Sequence, residues 1–215
     1  MSSKSRLGRK TTESRESTLP SGSLAQLAAQ AKNCKSCALW RNATQTVFGE
    51  GSSRARIMLV GEVPGNDEDL QGRPFVGPAG KLMDRLLAEI GIDRKKVYVT
   101  NAVKHFKWEP RGKRRIHKKP SAGEIAACRP WLEAEIAALK PAVIVCLGAT
   151  AAQALLGRDF RVSVNHGKFV ESPLAKYVMA TIHPSAILRA PDDDIRHELE
   201  KQFVEDLKPL VKLGL

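Results

Sequence analysis

Four short runs of β-branched and large aliphatic residues recur along the chain: Ile57–Val60, Val97–Thr100, Val143–Leu147 and Tyr177–Thr181. Each is too short for a typical helix and rich in residues that suit a pleated surface, so each predicts a buried strand. Between them lie helical patterns at Gly80–Ile90, at Ser121–Leu139 with Pro120 and Ser121 as its start signal, and at Ala149–Leu156. Leu24–Ala31 reads as a further short helix, ended by Asn33. Strands alternating with helices imply right-handed crossovers and a mainly parallel sheet covered on both faces, so the fold class is α/β. The first 23 residues are rich in Ser, Thr and Arg and hold few side chains that can bury surface. They predict a disordered basic tail (1–23) before a single domain over 24–215.

The segments just beyond the strands carry the chemistry. The first run leads into Gly61–Gly65 (GEVPG), the second into Asn101, the third into Leu147–Ala152 (LGATAA) and the fourth into His183–Ala186 (HPSA). Open parallel sheets bind ligands beyond the carboxyl ends of their strands, so a carboxylate, an amide and an imidazole are expected to meet there. Such exits also occur in inactive α/β domains, so they point to an enzyme without naming its reaction.

With 42% hydrophobic and 27% charged residues, the composition is ordinary for a soluble domain. The amino terminus has no apolar core of a secretion signal and no later run is long enough to cross a bilayer, so a cytoplasmic protein without a membrane partner is expected. The formal charge of +12 is local: residues 1–22 contribute a net +3, and residues 104–119 a net +7. A polyanion reaching the second stretch would release counterions there, which makes nucleic acid the natural partner. No oligomer interface is evident, and a monomer is expected.

The string GEVPGNDEDLQGRPFVGPAG resembles the first motif of the uracil-DNA glycosylase superfamily in its family-4-like branch, and HPSAILR resembles the second. VYVTNAVKHFKW, CRPWLEAEI and LGATAA are similar to the segments between them, so the resemblance runs from about Leu24 to Arg189. Within it, KRRIH (Lys113–His117) is similar to the insertion that marks the UdgX type, in which the loop histidine ends up bonded to the sugar of the excised nucleotide. The resemblance implies a three-layer α/β/α sandwich around a four-stranded parallel sheet. It also implies action on uracil-containing DNA, with single strands at least acceptable because an unpaired base costs less to extrude.

Uracil excision breaks the bond between C1′ and N1 and leaves a cationic sugar and an anionic base. By resemblance, His183 would donate a hydrogen bond to the base oxygen where charge develops, and Glu62 would stabilise the sugar or orient the attacking group. Phe75 would stack on the extruded ring. Asn101 can donate to O4 and accept from N3–H, although a free amide could flip to suit cytosine, so selectivity requires a second contact that fixes it. Glu68 is a candidate for excluding the thymine methyl. Gly61, Pro64, Gly65 and Ser185 complete the expected substrate-binding set. Val63 also belongs to that set by position, but the UdgX pattern has glutamine there, so a polar contact is lost. Lys113, Arg114 and Arg115 are expected to bind DNA phosphates. His117, surrounded by Arg114, Arg115, Lys118 and Lys119, should be kept neutral and nucleophilic. Its other reading is a phosphate contact in an ordinary multiple-turnover glycosylase, and a third reading is a uracil-DNA sensor that cuts nothing.

Cys34-x-x-Cys37 alone is compatible with zinc, iron–sulfur or two free thiols. Relatives hold a [4Fe–4S] cluster with four cysteines, the third lying where this chain has His105. The implied ligands are therefore Cys34, Cys37, His105 and Cys128, with Cys146 as an alternative fourth and zinc as an alternative metal.

Overall fold

The computed structural model describes residues 20–214, so the expected tail lies, as far as residue 19, outside the described residues. Ser23 already belongs to the fold: its hydroxyl accepts from the Gln26 N–H and caps helix α1 (Leu24–Ala31). Next along the chain come β1 (Ile57–Gly61), α2 (Asn66–Gln71), α3 (Pro78–Glu89), β2 (Val97–Asn101), β3 (Trp108–Arg111), β4 (Arg114–His117) and α4 (Ala122–Leu139). Then come β5 (Val143–Leu147), α5 (Ala149–Leu156), α6 (Val162–Asn165), β6 (Phe169–Val170), β7 (Tyr177–Thr181), α7 (Pro184–Leu188) and α8 (Asp193–Val211).

The four expected strands are β1, β2, β5 and β7, and they run parallel in the order β2–β1–β5–β7. A fifth, the two-residue β6, pairs antiparallel on β7, so the sheet is mainly parallel, as expected, with one short antiparallel edge strand added. Two residues are too few to leave a periodic trace in the sequence.

Residues alternate between the two faces of the sheet, as the period of a strand requires. Leu59, Val99, Val145 and Met179 pack with Leu86 of α3, Ile187 of α7, and Phe203 and Leu207 of α8. Met58, Val60, Ile144, Cys146 and Ala180 pack with Leu132 and Ile136 of α4 and with Ala151 and Ala152 of α5. The result is a three-layer α/β/α sandwich. Helix α8 was not anticipated, because dense charge hides its stripe, yet Leu199, Phe203, Leu207 and Leu210 recur at helical spacing.

The basic stretch is a hairpin where a loop was expected. Strands β3 and β4 pair antiparallel around Gly112 and Lys113, with Gly112 at φ 59°. The register sets His117 opposite Trp108 at the base and leaves Lys113 and Arg114 at the tip.

Candidate active site

The carboxyl ends of β1 and β2 meet at the paired residues Gly61 and Asn101. A Cβ on Gly61 would lie 2.4 Å from Asn101 Oδ1 and 2.6 Å from Phe75 Cζ, so the approach of these groups demands glycine. Phe75 sits at φ 57°, a left-handed conformation that costs about 1–3 kcal/mol for a residue with a side chain. Gly80 permits it, since a Cβ there would fall 1.8 Å from the Phe75 carbonyl oxygen. The Phe75 ring stacks on that of His183, with centroids 6.1 Å and planes 29° apart. Ring, amide and imidazole therefore converge beyond the sheet.

His183 caps α7. Its Nδ1 accepts from the Ser185 N–H at 3.1 Å and lies 2.8 Å from Ser185 Oγ. That bonding leaves the ring proton on Nε2. Burial, reinforced by the charges of Arg189 and His117, pushes the His183 pKa down to about 4, so the ring is neutral at pH 7. Arg189, at the end of HPSAILR, was not singled out from the sequence, and its place in that motif was the available signal.

Glu62 lies directly after β1 and accepts a hydrogen bond from Thr150 Oγ1, at the start of α5. This contact crosses between β1 and β5, where the order of the sheet reverses and ligands of such folds bind. Thr150 was likewise missed, although LGATAA places it directly after β5. Glu68 uses both carboxylate oxygens on the backbone: Oε1 accepts from the Gly77 N–H at 2.8 Å and Oε2 from the Gly65 N–H at 3.1 Å. Its carboxylate thus joins the two ends of the first motif. Pro64 is buried beside Gly65. Val63 does not line the convergence: it is buried with Leu39, Val103 and Cys128. An apolar residue suits that setting, which accounts for valine at this position.

His117 is solvent-accessible at the base of the hairpin, close enough to Glu62, Glu68, Arg189 and His183 to feel or exert their charge. The protein around the ring lowers its pKa; Arg189 adds to this, and Glu62 and Glu68 oppose it. The direction is the one expected. The cause differs, being partial desolvation and Arg189 in place of the neighbouring loop cations.

Arg115 is turned into the protein. Its guanidinium lies 2.6 Å from Oδ2 of the fully buried Asp69 and 2.9 Å from Asn66 Oδ1. It also sits over the rings of Phe106 and Trp108, at 5.3 and 5.5 Å. Where a phosphate contact was expected, the structure has a clasp between β4 and α2. Lys113 and Arg114 remain exposed at the hairpin tip.

Three thiols gather on the far side of Val63. Cys128, on α4, feels the charge of both Cys34 and Cys37, and burial pushes its pKa up to about 12. Trp131 Nε1 donates to Cys34 Sγ at 3.2 Å, and the Lys104 N–H donates to Cys128 Sγ at 3.1 Å. Next to Lys104, His105 is buried with Nε2 2.9 Å from Thr46 Oγ1, while its Nδ1 has no partner among the described residues. His105 follows Lys104, whose N–H bonds Cys128, so an unpartnered imidazole nitrogen and three thiols are the donor chemistry this region offers a metal group. Among the described residues no three potential ligands stand close enough together to hold a metal ion. Cys146 lies apart in the core, its pKa raised to about 12 by burial alone.

The model of the uracil DNA glycosylase superfamily matches residues 48–208. The type-4 uracil-DNA glycosylase of Thermotoga maritima is 40% identical over 182 residues, covering 84% of this chain and 91% of that protein. The type-4 enzyme of Archaeoglobus fulgidus is 39% identical over 84% of this chain and 90% of its own length. A type-5 uracil-DNA glycosylase from Thermus thermophilus is 34% identical over 65% and 68%. With this agreement across fold and motifs, the chain belongs to the uracil-DNA glycosylase superfamily and resembles its type-4 branch.

Proposed function

We propose that the protein excises uracil from DNA, single-stranded DNA included, and is then captured on the emptied sugar through His117. The observation that carries this reading is the hairpin register, which sets His117 at the hairpin base, within electrostatic reach of Glu62 and His183. An extruded uracil stacks on Phe75 and is read by Asn101, and His183 Nε2–H donates to the base oxygen as the C1′–N1 bond breaks. Uracil leaves with the bonding electron pair. Glu62, fixed by Thr150, stabilises the sugar cation. A lone pair of neutral His117 then bonds to C1′, and the proton lost from its ring balances the one taken up by the uracil anion. Water does not take part, so each molecule acts once.

Incubation with a uracil-containing oligonucleotide and separation on a denaturing gel tests this reading. A shifted, denaturant-stable band is expected. Alkali-sensitive strands without a shift would indicate ordinary turnover with His117 on phosphate, and intact DNA would indicate a sensor.

The Asp69–Arg115 clasp positions the hairpin. Asp69→Asn strands a guanidinium of low exposure, so stability should fall by about 3 kcal/mol, and the yield of adduct should fall further than the yield of free uracil. Urea unfolding and the same gel measure both.

The [4Fe–4S] cluster is proposed to be held by Cys34, Cys37, Cys128 and His105, where it would tie the end of α1 to the β2 exit and to α4. Absorbance near roughly 400 nm is expected in anaerobically prepared protein and lost in Cys34→Ser. Retention of the band in that variant would count against this ligand set.

A further inference from the structure

Beneath the site, Lys104 Nζ donates to Glu135 Oε2, and neither side chain has any solvent exposure. Burying two charges carries a heavy desolvation cost, and a packed apolar pair is often as stable, so the pair calls for a role beyond holding the core. Its bonding is extensive. Glu135 Oε1 accepts from the Tyr98 hydroxyl at 2.9 Å and from the Gly49 N–H at 3.0 Å. Thr100 Oγ1 lies 3.0 Å from each carboxylate oxygen and accepts from Lys104 Nζ at 2.6 Å. The ammonium makes one more bond, to the Asn101 carbonyl oxygen at 2.8 Å.

The main chain of Lys104 is pinned too. Its N–H donates to Cys128 Sγ at 3.1 Å, and its carbonyl accepts from the Val47 N–H at 2.7 Å. Residue 104 therefore meets α4 at Cys128 and at Glu135, and grips the backbone of Asn101 between those ties. The Asn101 amide is confined on its other side, where Oδ1 lies against Gly61. An amide reads a base from a fixed place only if, besides a contact on the amide itself, the main chain that carries it is held.

We infer that Lys104 is a positioning residue for base recognition: held by Glu135, its ammonium fixes the Asn101 carbonyl, and with it the place from which the Asn101 side chain meets the base. This rests on Asn101 reading the base as proposed above. Wild-type protein that released no uracil would defeat that reading, and the comparison of variants below bears on the inference alone.

Single-turnover uracil release from an oligonucleotide is measured per folded molecule, with the folded fraction taken from circular dichroism. Binding to a uracil-free oligonucleotide is measured alongside. Lys104→Met is expected to slow release at least tenfold and to leave uracil-free binding unchanged. Asn101→Ala combined with Lys104→Met is expected to be no slower than Asn101→Ala alone, since one residue acts through the other. Multiplied effects in that double variant, or an unchanged rate in Lys104→Met, would overturn the inference. Should Lys104→Met not fold, Thr100→Val keeps both charges and is expected to show the same pattern with a fall of about threefold; independence from Asn101 there would be equally fatal.

Discussion

Replacing His117 with serine or alanine is expected to abolish the denaturant-stable DNA adduct altogether while uracil is still released. The proposed nucleophile disappears, but the groups proposed to break the bond remain: Phe75, Asn101, Glu62 and His183 are positioned by the sheet ends and their own contacts, and the hairpin supplies none of them. On the proposed mechanism solvent would then take the place of the ring, and single capture would give way to turnover. The depressed His117 pKa has a consequence for pH. A ring whose pKa is lowered keeps its free lone pair further into acid than an ordinary imidazole does, so adduct formation by the native chain should hold out to lower pH than an unshifted histidine would allow. A gel time course at several pH values reads both effects.

The second large loss is expected at His183. Its Nδ1 is occupied by the Ser185 N–H, so Nε2–H is the group left to meet developing charge on the base. Removing one preorganised donor of this kind costs roughly 10²–10³-fold in rate, and His183→Ala should show that loss in single-turnover release with DNA affinity little changed. Because the ring titrates near 4, its neutral form persists throughout the neutral range. Nε2 carries its proton in either form, so the contribution of His183 to the rate should stay level from neutral pH down to about 5, unlike that of a catalyst that needs imidazolium.

The central sheet and its exits were readable from the chain because a buried strand needs little beyond a short aliphatic run and a turn signal. Glu62, Asn101 and His183 each stand at or just beyond a strand end, and that placement survives folding. Other features depend on pairings that a linear reading does not contain. Arg115 belonged to a run of cations in the sequence, but the hairpin register turns it onto Asp69, a partner 46 positions away. Val63 sits in a motif whose neighbours face the site, yet its own side chain packs against Cys128. Glu68 became a backbone clasp because α2 brings its carboxylate within reach of Gly65 and Gly77. Charge hid α8, whose apolar stripe is regular once the helix is known.

Digestion of the purified protein–DNA adduct and tandem mass spectrometry of the peptides locate the bond most directly. The deoxyribose fragment is expected on His117 in the peptide that spans the end of β4. Its attachment to any other side chain, or recovery of an unmodified His117 peptide from fully shifted protein, would contradict capture by this ring.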